Sequence, residues 1–252
     1  MFYYNYVTSV GQKQINQDAL LIRKARFRNS EILLSAVCDG IGGLSGGEIA
    51  SAFVISGLAD WFKTEFAQMK KQEASVLEIR QNLDTILHEM NDALNQSHEM
   101  GTTLTGFILD SGTEKMLIVH AGDTRLYQIF SDHICMVTED HSVVAEELRQ
   151  GLLTEEQARQ DSRQNQITNC IGAGETSRNY DYIIRKPEKN CIYLLCSDGF
   201  RKLISKDEIF RFLSPDENGS AQKIQENLQT LLNLNLSRGE QDNITAVAVS
   251  YR

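Results

Sequence analysis

The sequence predicts an α+β fold in which two largely antiparallel sheets are covered by pairs of helices. Strand-like runs come first, two helical stretches follow, a group of short strands comes next, and helices with a closing strand end the chain. This order differs from the regular strand-helix alternation of a doubly wound parallel sheet. The 252 residues, 41% hydrophobic with two prolines, fit one large domain or two small ones without a proline-rich linker. We expect a single domain, residues 1–252.

Three strands are predicted at the start of the chain, at residues 2–10, 19–27 and 32–38. The third is almost continuously apolar, which is typical of a strand buried on both faces. Two helices are predicted next, at about residues 45–69 and 73–98. In the second helix, apolar side chains recur every three or four residues, as on an amphipathic helix that packs on one side.

Short strands and a polar insertion are predicted in the second half of the chain. Turns of two or three residues suit antiparallel pairing of four strands, at residues 102–109, 115–121, 125–130 and 133–137. Residues 142–175 are polar, and Thr154 with Gln157 fits a capping box, so helices are expected there. The remaining pattern predicts strands at 180–185, 191–196 and 244–251 and helices at 206–212 and 221–235.

Charge and cysteine content exclude several classes of protein. A formal charge of −9 disfavours nucleic-acid binding, which relies on basic surfaces. No apolar segment approaches the roughly 18 residues of a membrane span, and the first residues lack a signal peptide's basic and apolar regions. Five scattered cysteines without a Cys-x-x-Cys pair predict neither a disulfide framework nor a zinc site. We therefore expect a cytoplasmic protein without nucleic-acid or membrane partners.

Five aspartates stand where an apolar run meets a glycine or a polar turn: Asp18, Asp39, Asp123, Asp198 and Asp242. A single Asp-Gly step is more often a turn than a metal ligand. Ordinary turns, however, do not require an apolar strand before both Asp39 and Asp198. Carboxylates at strand ends can converge on hard cations such as Mg²⁺ or Mn²⁺. A metal-dependent hydrolase is therefore the leading interpretation.

The glycine-rich turn that starts at Asp39 does not match the known nucleotide-binding motifs. The dinucleotide fingerprint requires a third glycine where this chain has Ser45, and the phosphate loop ending in Gly-Lys-Ser/Thr is absent. A nucleotide cradle is thus disfavoured. A metallohydrolase for nucleotides or another small phosphoester stays an alternative without positive support.

Seven short motifs, taken in order, resemble those of the metal-dependent protein phosphatases of type 2C, which remove phosphate from serine and threonine. The motifs are Asn16-Gln17-Asp18-Ala19, Asp39-Gly40-x-Gly42-Gly43, Gly101-Thr102-Thr103, Gly122-Asp123-Thr124-Arg125, Asp140-His141, Ser197-Asp198-Gly199 and Gln241-Asp242-Asn243. The resemblance covers almost the whole chain and is similar to compact bacterial members. It implies a four-layer α-β-β-α sandwich, with residues 142–175 as a mobile flap beside the active site.

The resemblance also implies a cleft that holds two Mn²⁺ or Mg²⁺ ions. Asp39 is implied to bridge both ions, Asp198 and Asp242 to complete one site, and the Gly40 carbonyl to bind the other. A water between the two ions is then the implied nucleophile, as in other two-metal hydrolases. Asp39, Asp198 and Asp242 are accordingly the expected catalytic residues.

Several further residues of the motifs are expected to have supporting or structural roles. Asp18 is implied to hold a metal-bound water or to act as a ligand, with a structural role as the competing interpretation. Asp123 with Asp198 is implied to form a weaker third metal site, although Asp123 fits a hairpin turn as well. We expect His141 to make local hydrogen bonds and Arg125 to form a structural ion pair near Asp123. The small residues of Gly101-Thr102-Thr103 suit close packing beneath the metals.

Two departures from the family pattern concern the substrate. Lys13 stands where the family usually has a phosphate-binding arginine, and lysine offers a point charge instead of a planar bidentate fork. We expect Lys13 to bind phosphate, the alternative being an exposed loop lysine. Ile41 occupies the position of a histidine in animal members, which leaves a metal-bound water as the implied proton donor to the leaving oxygen.

The sequence thus predicts a metal-dependent phosphatase for phosphoserine and phosphothreonine in proteins. Its partners are expected to be substrates of a serine/threonine kinase, and the chain is expected to be a monomer. The alternative is a catalytically weak phosphoprotein-binding module of the same fold. Lys13 gives that alternative some support, whereas retention of the metal aspartates argues against it.

Overall fold

Two five-stranded sheets lie face to face in the computed structural model. It describes residues 1–41, 46–96, 100–173 and 179–252. The predicted features that fall on residues 42–45, 97–98 and 174–175 lie outside the described residues. Residues 42–45 include most of the glycine-rich turn and the start of the first predicted helix. Residues 97–98 are the end of the second predicted helix, and residues 174–175 are the end of the predicted flap.

The strands follow the apolar runs of the sequence closely. In chain order they are β1 (Phe2–Ser9), β2 (Asp18–Phe27), β3 (Ser30–Asp39), β4 (Gly101–Thr102), β5 (Leu104–Asp110), β6 (Lys115–Ala121), β7 (Arg125–Ile129), β8 (Ile134–Met136), β9 (Ile171–Gly172), β10 (Asp181–Arg185), β11 (Cys191–Cys196) and β12 (Ile244–Tyr251). The helices are α1 (Gly47–Lys63), α2 (Glu65–Lys71), α3 (Val76–Gln96), α4 (Val143–Arg149), α5 (Glu155–Gln160), α6 (Asp198–Arg201), α7 (Lys206–Leu213) and α8 (Ala221–Ser237), with a 3-10 turn at Pro215–Glu217.

The first sheet has the strand order β10-β6-β5-β3-β2, and the second has the order β1-β12-β11-β7-β8. Every neighbouring pair in both sheets is antiparallel. As predicted, β3 is buried on both faces along residues 32–38. The short strands β4 and β9 form a separate two-stranded pair.

Three apolar layers hold four layers of secondary structure together. Side chains of α1, α2 and α3, such as Trp61 and Leu87, pack against the outer face of the first sheet. Phe107 and Val249 belong to the layer between the two sheets. Leu228 of α8 packs with others on the outer face of the second sheet. The predicted α+β class and four-layer sandwich are confirmed.

Two predicted elements are interrupted in the structure. The helix predicted at residues 45–69 divides into α1 and α2 at Thr64, whose hydroxyl donates to the carbonyl of Asp60 at 2.7 Å. Such a bond from a threonine side chain to the preceding turn bends helices. The strand predicted at residues 102–109 divides at Thr103 into β4 and β5. Within the described ranges, none of the helices is long and apolar enough to cross a membrane.

The predicted insertion contains α4 and α5, and it folds back onto the body of the protein. Thr154 and Gln157 form the predicted capping box at the start of α5. Ser142 forms an isolated bridge with Ile167, and β9 pairs with β4. The assignment of residues 142–175 as a flap within a single domain stays a prediction.

Candidate active site

The aspartates singled out in the sequence meet at one edge of the sandwich. Asp18 is the first residue of β2 and pairs with Asp39, the last residue of β3. Asp198 begins α6 directly after β11, and Asp242 lies in the turn that leads into β12. Because β11 and β12 are neighbours in the second sheet, the two sheets each bring a pair of carboxylates to the same edge. Asp123 lies in the connection that crosses from β6 to β7.

A cleft of about 360 Å³ opens at this edge. It is lined by Lys13, Gln17, Asp39, Gly40, Ile41, Thr103, Asp123, Asn165, Ile167, Asp198, Asp242 and Asn243. The structure therefore brings together six of the seven predicted site residues. The seventh, Asp18, is not part of the lining, and it is joined to the site through Ser197 and its pairing with Asp39.

The backbone of Asp39 is fixed by two threonines from the neighbouring segment. The amide of Asp39 donates to the hydroxyl of Thr103 at 2.9 Å, and the hydroxyl of Thr102 donates to the carbonyl of Asp39 at 2.9 Å. Sequence reasoning assigned these threonines to close packing alone. A Cβ atom on Gly40 would lie 2.3 Å from the carbonyl oxygen of Gly47, so that position requires glycine.

Asp18 is held in place by the turn that carries Asp198. Its Oδ2 accepts a hydrogen bond of 2.9 Å from Ser197, while its Oδ1 is buried and has no hydrogen-bond partner. A buried carboxylate oxygen without a donor is costly unless a cation or a proton satisfies it.

The turn with Asp242 is braced by Glu240 and Asn243. One carboxylate oxygen of Glu240 accepts hydrogen bonds from the amides of Gln241 and Asp242, at 3.0 and 3.1 Å. The side chain of Asn243 accepts a hydrogen bond of 2.8 Å from the amide of Gln17. It also donates to the carbonyls of Val10 and Ile15, in the loop between β1 and β2. The Nζ of Lys13 lies 3.4 Å from Oδ1 of Asp242, at the mouth of the cleft.

Burial and neighbouring negative charges raise the pKa values of Asp39 and Asp18. Burial and then the charges of Asp18 and Asp198 hold the pKa of Asp39 well above its usual value. Burial, together with the charges of Asp198 and Asp242, raises the pKa of Asp18 to about 7, although the neighbouring hydroxyls of Thr245 and Ser197 act in the opposite direction. Like charges in a poorly solvated site favour protonation or a bound cation.

Asp123 differs from the other carboxylates because a guanidinium lies beside it. Burial and the charge of Asp198 raise its pKa to about 7, and Arg201 works against that increase from 3.9 Å. Arg201 also donates to the carbonyl of Asp123 at 3.0 Å and lies 3.6 Å from Asp140. Arg125 binds Asp140 through two hydrogen bonds of 2.7 and 2.6 Å. The predicted structural ion pair of Arg125 is therefore made with Asp140, and Arg201 is a site residue that the sequence motifs did not reveal.

His141 joins the turn of Asp123 to the predicted flap, since its carbonyl accepts a hydrogen bond of 2.9 Å from the amide of Thr168. Its Nδ1 accepts from the amide of Gly122 at 3.3 Å, and its Nε2 lies 3.1 Å from Asp181. The prediction of a hydrogen-bonding role holds, but the partners are distant in sequence instead of local. The neighbouring His120 is buried, which lowers its pKa to about 4 and keeps it neutral.

The donor set of the cleft fits a hard divalent cation, since it consists of carboxylates, a carbonyl and an unsatisfied Asp18 oxygen. Within the described residues, no group of three or more acidic, histidine or cysteine side chains is already arranged so that it could hold a metal ion. The chemistry of the residues and the raised pKa values of Asp18, Asp39 and Asp123 support a cation site, whereas the positions of the side chains do not form a finished coordination shell.

Comparison with known proteins decides the family. A sequence model of the protein phosphatase 2C family matches residues 8–233. The chain belongs to the protein phosphatase 2C family. It is 31% identical to protein phosphatase PhpP of Streptococcus pneumoniae, over 97% of this chain and 95% of that protein. The family predicted from the seven motifs, and with it the enzyme class of protein phosphatase, is confirmed.

Solved structures of 2C phosphatases share this fold over the whole chain. The crystal structure of the serine/threonine phosphatase Stp1 from Staphylococcus aureus gives a TM-score of 0.84 at 27% identity, and covers 100% of this chain and 96% of that one. The catalytic domain of the serine/threonine protein phosphatase PstP in complex with two manganese ions gives a TM-score of 0.76 at 26% identity, and covers 99% of this chain and 97% of that one.

Proposed function

We propose that this protein is a Mn²⁺- or Mg²⁺-dependent phosphatase that hydrolyses phosphoserine and phosphothreonine in proteins. The main support for the proposal is that Asp18, Asp39 and Asp123 meet at the edge of the sandwich, where burial and then the charges of neighbouring aspartates raise their pKa values. Perturbed carboxylates in a cleft are a recurring feature of functional sites. The names of the relatives, serine/threonine phosphatases among them, support the same substrate class.

The residues that would hold two cations are Asp39, Asp198, Asp242 and the carbonyl of Gly40. When bound, two divalent cations supply an activated water and neutralise charge on the phosphoryl oxygens. The structure of PstP in complex with two manganese ions supports a site that holds two cations. Since the carboxylates do not form a finished shell here, the proposal includes their movement toward one another once a cation removes their repulsion.

Asp18 and Asp123 have supporting roles in the proposal. The unsatisfied oxygen of Asp18 would accept a hydrogen bond from water in the metal site or ligate the metal itself. Asp123 and Asp198 would form a third, weaker cation site. The weakness follows from Arg201, because its guanidinium already offsets part of the charge of Asp123.

Lys13 would bind the phosphoryl group of the substrate. Its side chain is about half exposed, at 53%, and it lines the cleft beside Asp242. The contact of 3.4 Å with Asp242 is longer than a hydrogen bond between charged groups, which is about 2.7–2.9 Å. Lys13 is therefore free to exchange that partner for a phosphate oxygen.

The proposal extends to the setting of the enzyme. We expect its substrates to be phosphoproteins made by a serine/threonine kinase, and we expect a monomer in the cytoplasm. Asn165 and Ile167 of the predicted flap line the cleft, which supports a role for residues 142–175 at the substrate entrance.

The deciding experiment measures phosphate release from a phosphothreonine peptide in EDTA, Mg²⁺ and Mn²⁺, with Asp198→Asn beside the native chain. We expect turnover that requires metal and is lost in the variant. Circular dichroism of both proteins shows whether the variant is folded. A folded native chain that binds the peptide without releasing phosphate in any metal would instead indicate the phosphoprotein-binding module.

A further inference from the structure

A groove of about 600 Å³ leads out of the catalytic cleft. It shares Asp123, Asp198 and Asn165 with the cleft, so the two spaces are continuous. One wall is the segment from α6 to the start of α7, and the other is formed by α4 and α5. A polypeptide whose phosphorylated residue occupies the cleft has this groove as a path for its adjoining residues.

The wall formed by α6 and α7 is basic. It carries Arg201, Lys202 and Lys206 in a chain whose formal charge is −9. Arg201 is held by Asp140 and by the backbone of Asp123. Lys202 and Lys206 are both exposed, so their ammonium groups are available to a ligand in the groove. Among the acidic lining residues, Asp123 and Asp198 are shared with the cleft, and Asp140 is paired with Arg125. The two exposed lysines of the α6–α7 wall favour an acidic ligand.

The opposite wall is apolar along α4, and Glu155 at the start of α5 adds one carboxylate to it. Val144, Ala145 and Leu148 of α4 face the groove, and Met136 lies at its border. Leu148 and Met136 are 37% and 38% exposed. An apolar side chain of a ligand would cover them. The groove thus has ammonium groups along α6 and α7 and aliphatic groups along α4.

The spacing along α6 relates the basic wall to the phosphorylated residue. Lys202 follows Asp198 by four residues and keeps helical dihedral angles. Residues with that spacing lie on one face of a helix, with about 5–6 Å between their Cβ atoms. Since an extended peptide advances about 3.3 Å per residue, a side chain about two residues from the phosphorylated one comes level with Lys202. Lys206 lines the same groove from the start of α7.

We propose that this groove selects phosphoprotein segments that carry glutamate or aspartate two or three residues from the phosphorylated residue, together with a neighbouring apolar residue. Lys202 and Lys206 bind the acidic side chains, and Leu148 contacts the apolar one. The inference rests on the proposed phosphatase function and defines its substrate class. Because exposed ion pairs contribute little energy, the groove sets preference among substrates more than total affinity.

The test uses three phosphothreonine peptides that differ at the second and third residues on both sides of the phosphothreonine. These positions carry glutamate, glutamine or lysine. We measure kcat and KM in Mn²⁺ at low and high ionic strength for the native chain and for Lys202→Gln with Lys206→Gln. The matched control is Lys63→Gln with Lys189→Gln, which changes the net charge equally at exposed lysines that do not line the groove.

The native chain is expected to prefer the glutamate peptide, mainly through a lower KM, and to lose that preference at high salt. In the groove variant, the ratio of kcat/KM between the glutamate and glutamine peptides should fall about threefold to tenfold, as two exposed ion pairs allow. The control pair should leave the ratio unchanged. Lys202→Glu with Lys206→Glu should reverse the preference toward the lysine peptide, a gain that misfolding does not produce.

An equal rate on the glutamate and glutamine peptides, or the same ratio in the native chain and the groove variant, overturns this inference alone. The glutamine peptide monitors the proposed function separately, because it lacks the acidic residues that the groove would bind. Absence of phosphate release from all three peptides in Mn²⁺ overturns the proposed function and this inference together.

Discussion

Asp110 and Asp39 lie at opposite ends of the first sheet and have opposite surroundings. Asp110 ends β5 and pairs with Ile32 near the start of β3, whereas Asp39 ends β3. Lys70 lies 2.7 Å from the Asp110 carboxylate, and Ser30 and the amide of Gly112 also donate to it. These partners hold the pKa of Asp110 below its usual value although burial opposes them. The pKa of Asp39 is raised, because burial and four neighbouring aspartates act in the same direction.

The difference separates a carboxylate that stabilises the fold from one that is kept for a ligand. Burying a charge costs free energy unless a partner compensates it. Asp110 has its partners within the chain, so its removal should affect stability. Asp39 has mainly like charges around it, so its removal should affect activity and relieve repulsion.

Asp39→Asn should lower kcat/KM on a phosphothreonine peptide in Mn²⁺ by at least about 10³-fold, because a divalent cation contributes several kcal/mol to the transition state. In EDTA the same variant should be at least as stable as the native chain, since one of the mutually repelling carboxylates is gone. Phosphate release and urea unfolding measure the two effects. An active Asp39→Asn enzyme would contradict the assignment of Asp39 as a metal ligand.

Lys70→Gln should have the opposite profile. It leaves the carboxylate of Asp110 buried without its cation, which we expect to cost about 2–4 kcal/mol of unfolding free energy. For a chain of this size that corresponds to a fall in Tm of several degrees. The kcat of the folded protein should stay at the native value, because Lys70 contacts Asp110 at the end of the first sheet that is opposite Asp39. The double variant Lys70→Gln with Asp110→Asn should recover part of the loss.

The two regions should also respond oppositely to pH when metal is removed. The native state binds a proton on Asp18 more tightly than the unfolded state does, since its pKa is about 7 against roughly 4 in the unfolded chain. This contribution to stability is complete below about pH 4 and is lost as the pH rises through 7. Asp110, with its lowered pKa, contributes stability above its unfolded pKa and loses it as the pH falls.

Urea unfolding in EDTA at about pH 5 and pH 8 measures the effect of Asp18, with Asp18→Asn as the reference that lacks the titrating group. The native chain should lose stability relative to Asp18→Asn by a few kcal/mol between these values, at about 1.4 kcal/mol per pH unit at most. Excess Mn²⁺ should reverse the trend, because cation binding favours the ionised carboxylates. A difference that is independent of pH would contradict the raised pKa of Asp18.

The strands and the positions of the aspartates could be predicted from the sequence because both depend on local pattern. Asp39 and Asp198 each follow an apolar strand, and that arrangement alone places a carboxylate at the edge of a sheet. The break of the first helix at Thr64 depends on one side-chain hydrogen bond, which hydrophobic periodicity does not show. Family resemblance, more than any single motif, supplied the four layers.

The parts of the site that were missed depend on contacts between distant segments. Arg201 lies 78 residues from Asp123 in sequence, and Thr103 lies 64 residues from Asp39. Arginine three residues after Asp198 carries no signal for its partner until the second sheet has formed. The charge of α6 was nonetheless visible in the sequence, since Arg201 and Lys202 follow an aspartate in a short amphipathic turn.

Lys13 gives the smallest expected effect. It pairs with an aspartate of the cleft, as Lys70 pairs with Asp110 at the other end of the first sheet. Lys70 and Asp110 are 13% and 9% exposed and lie 2.7 Å apart, whereas Lys13 and Asp242 are 53% and 35% exposed and lie 3.4 Å apart. The first pair is fixed and the second is loose, so Lys13 can reach a substrate phosphate.

Lys13→Gln should therefore raise KM about threefold to tenfold with little change in stability, as expected for one exposed charge-assisted contact. Lys13→Arg should restore or lower KM, since a guanidinium binds phosphate through two parallel hydrogen bonds. An unchanged KM in Lys13→Gln, together with a loss of stability comparable to that of Lys70→Gln, would show instead that Lys13 is a structural partner of Asp242.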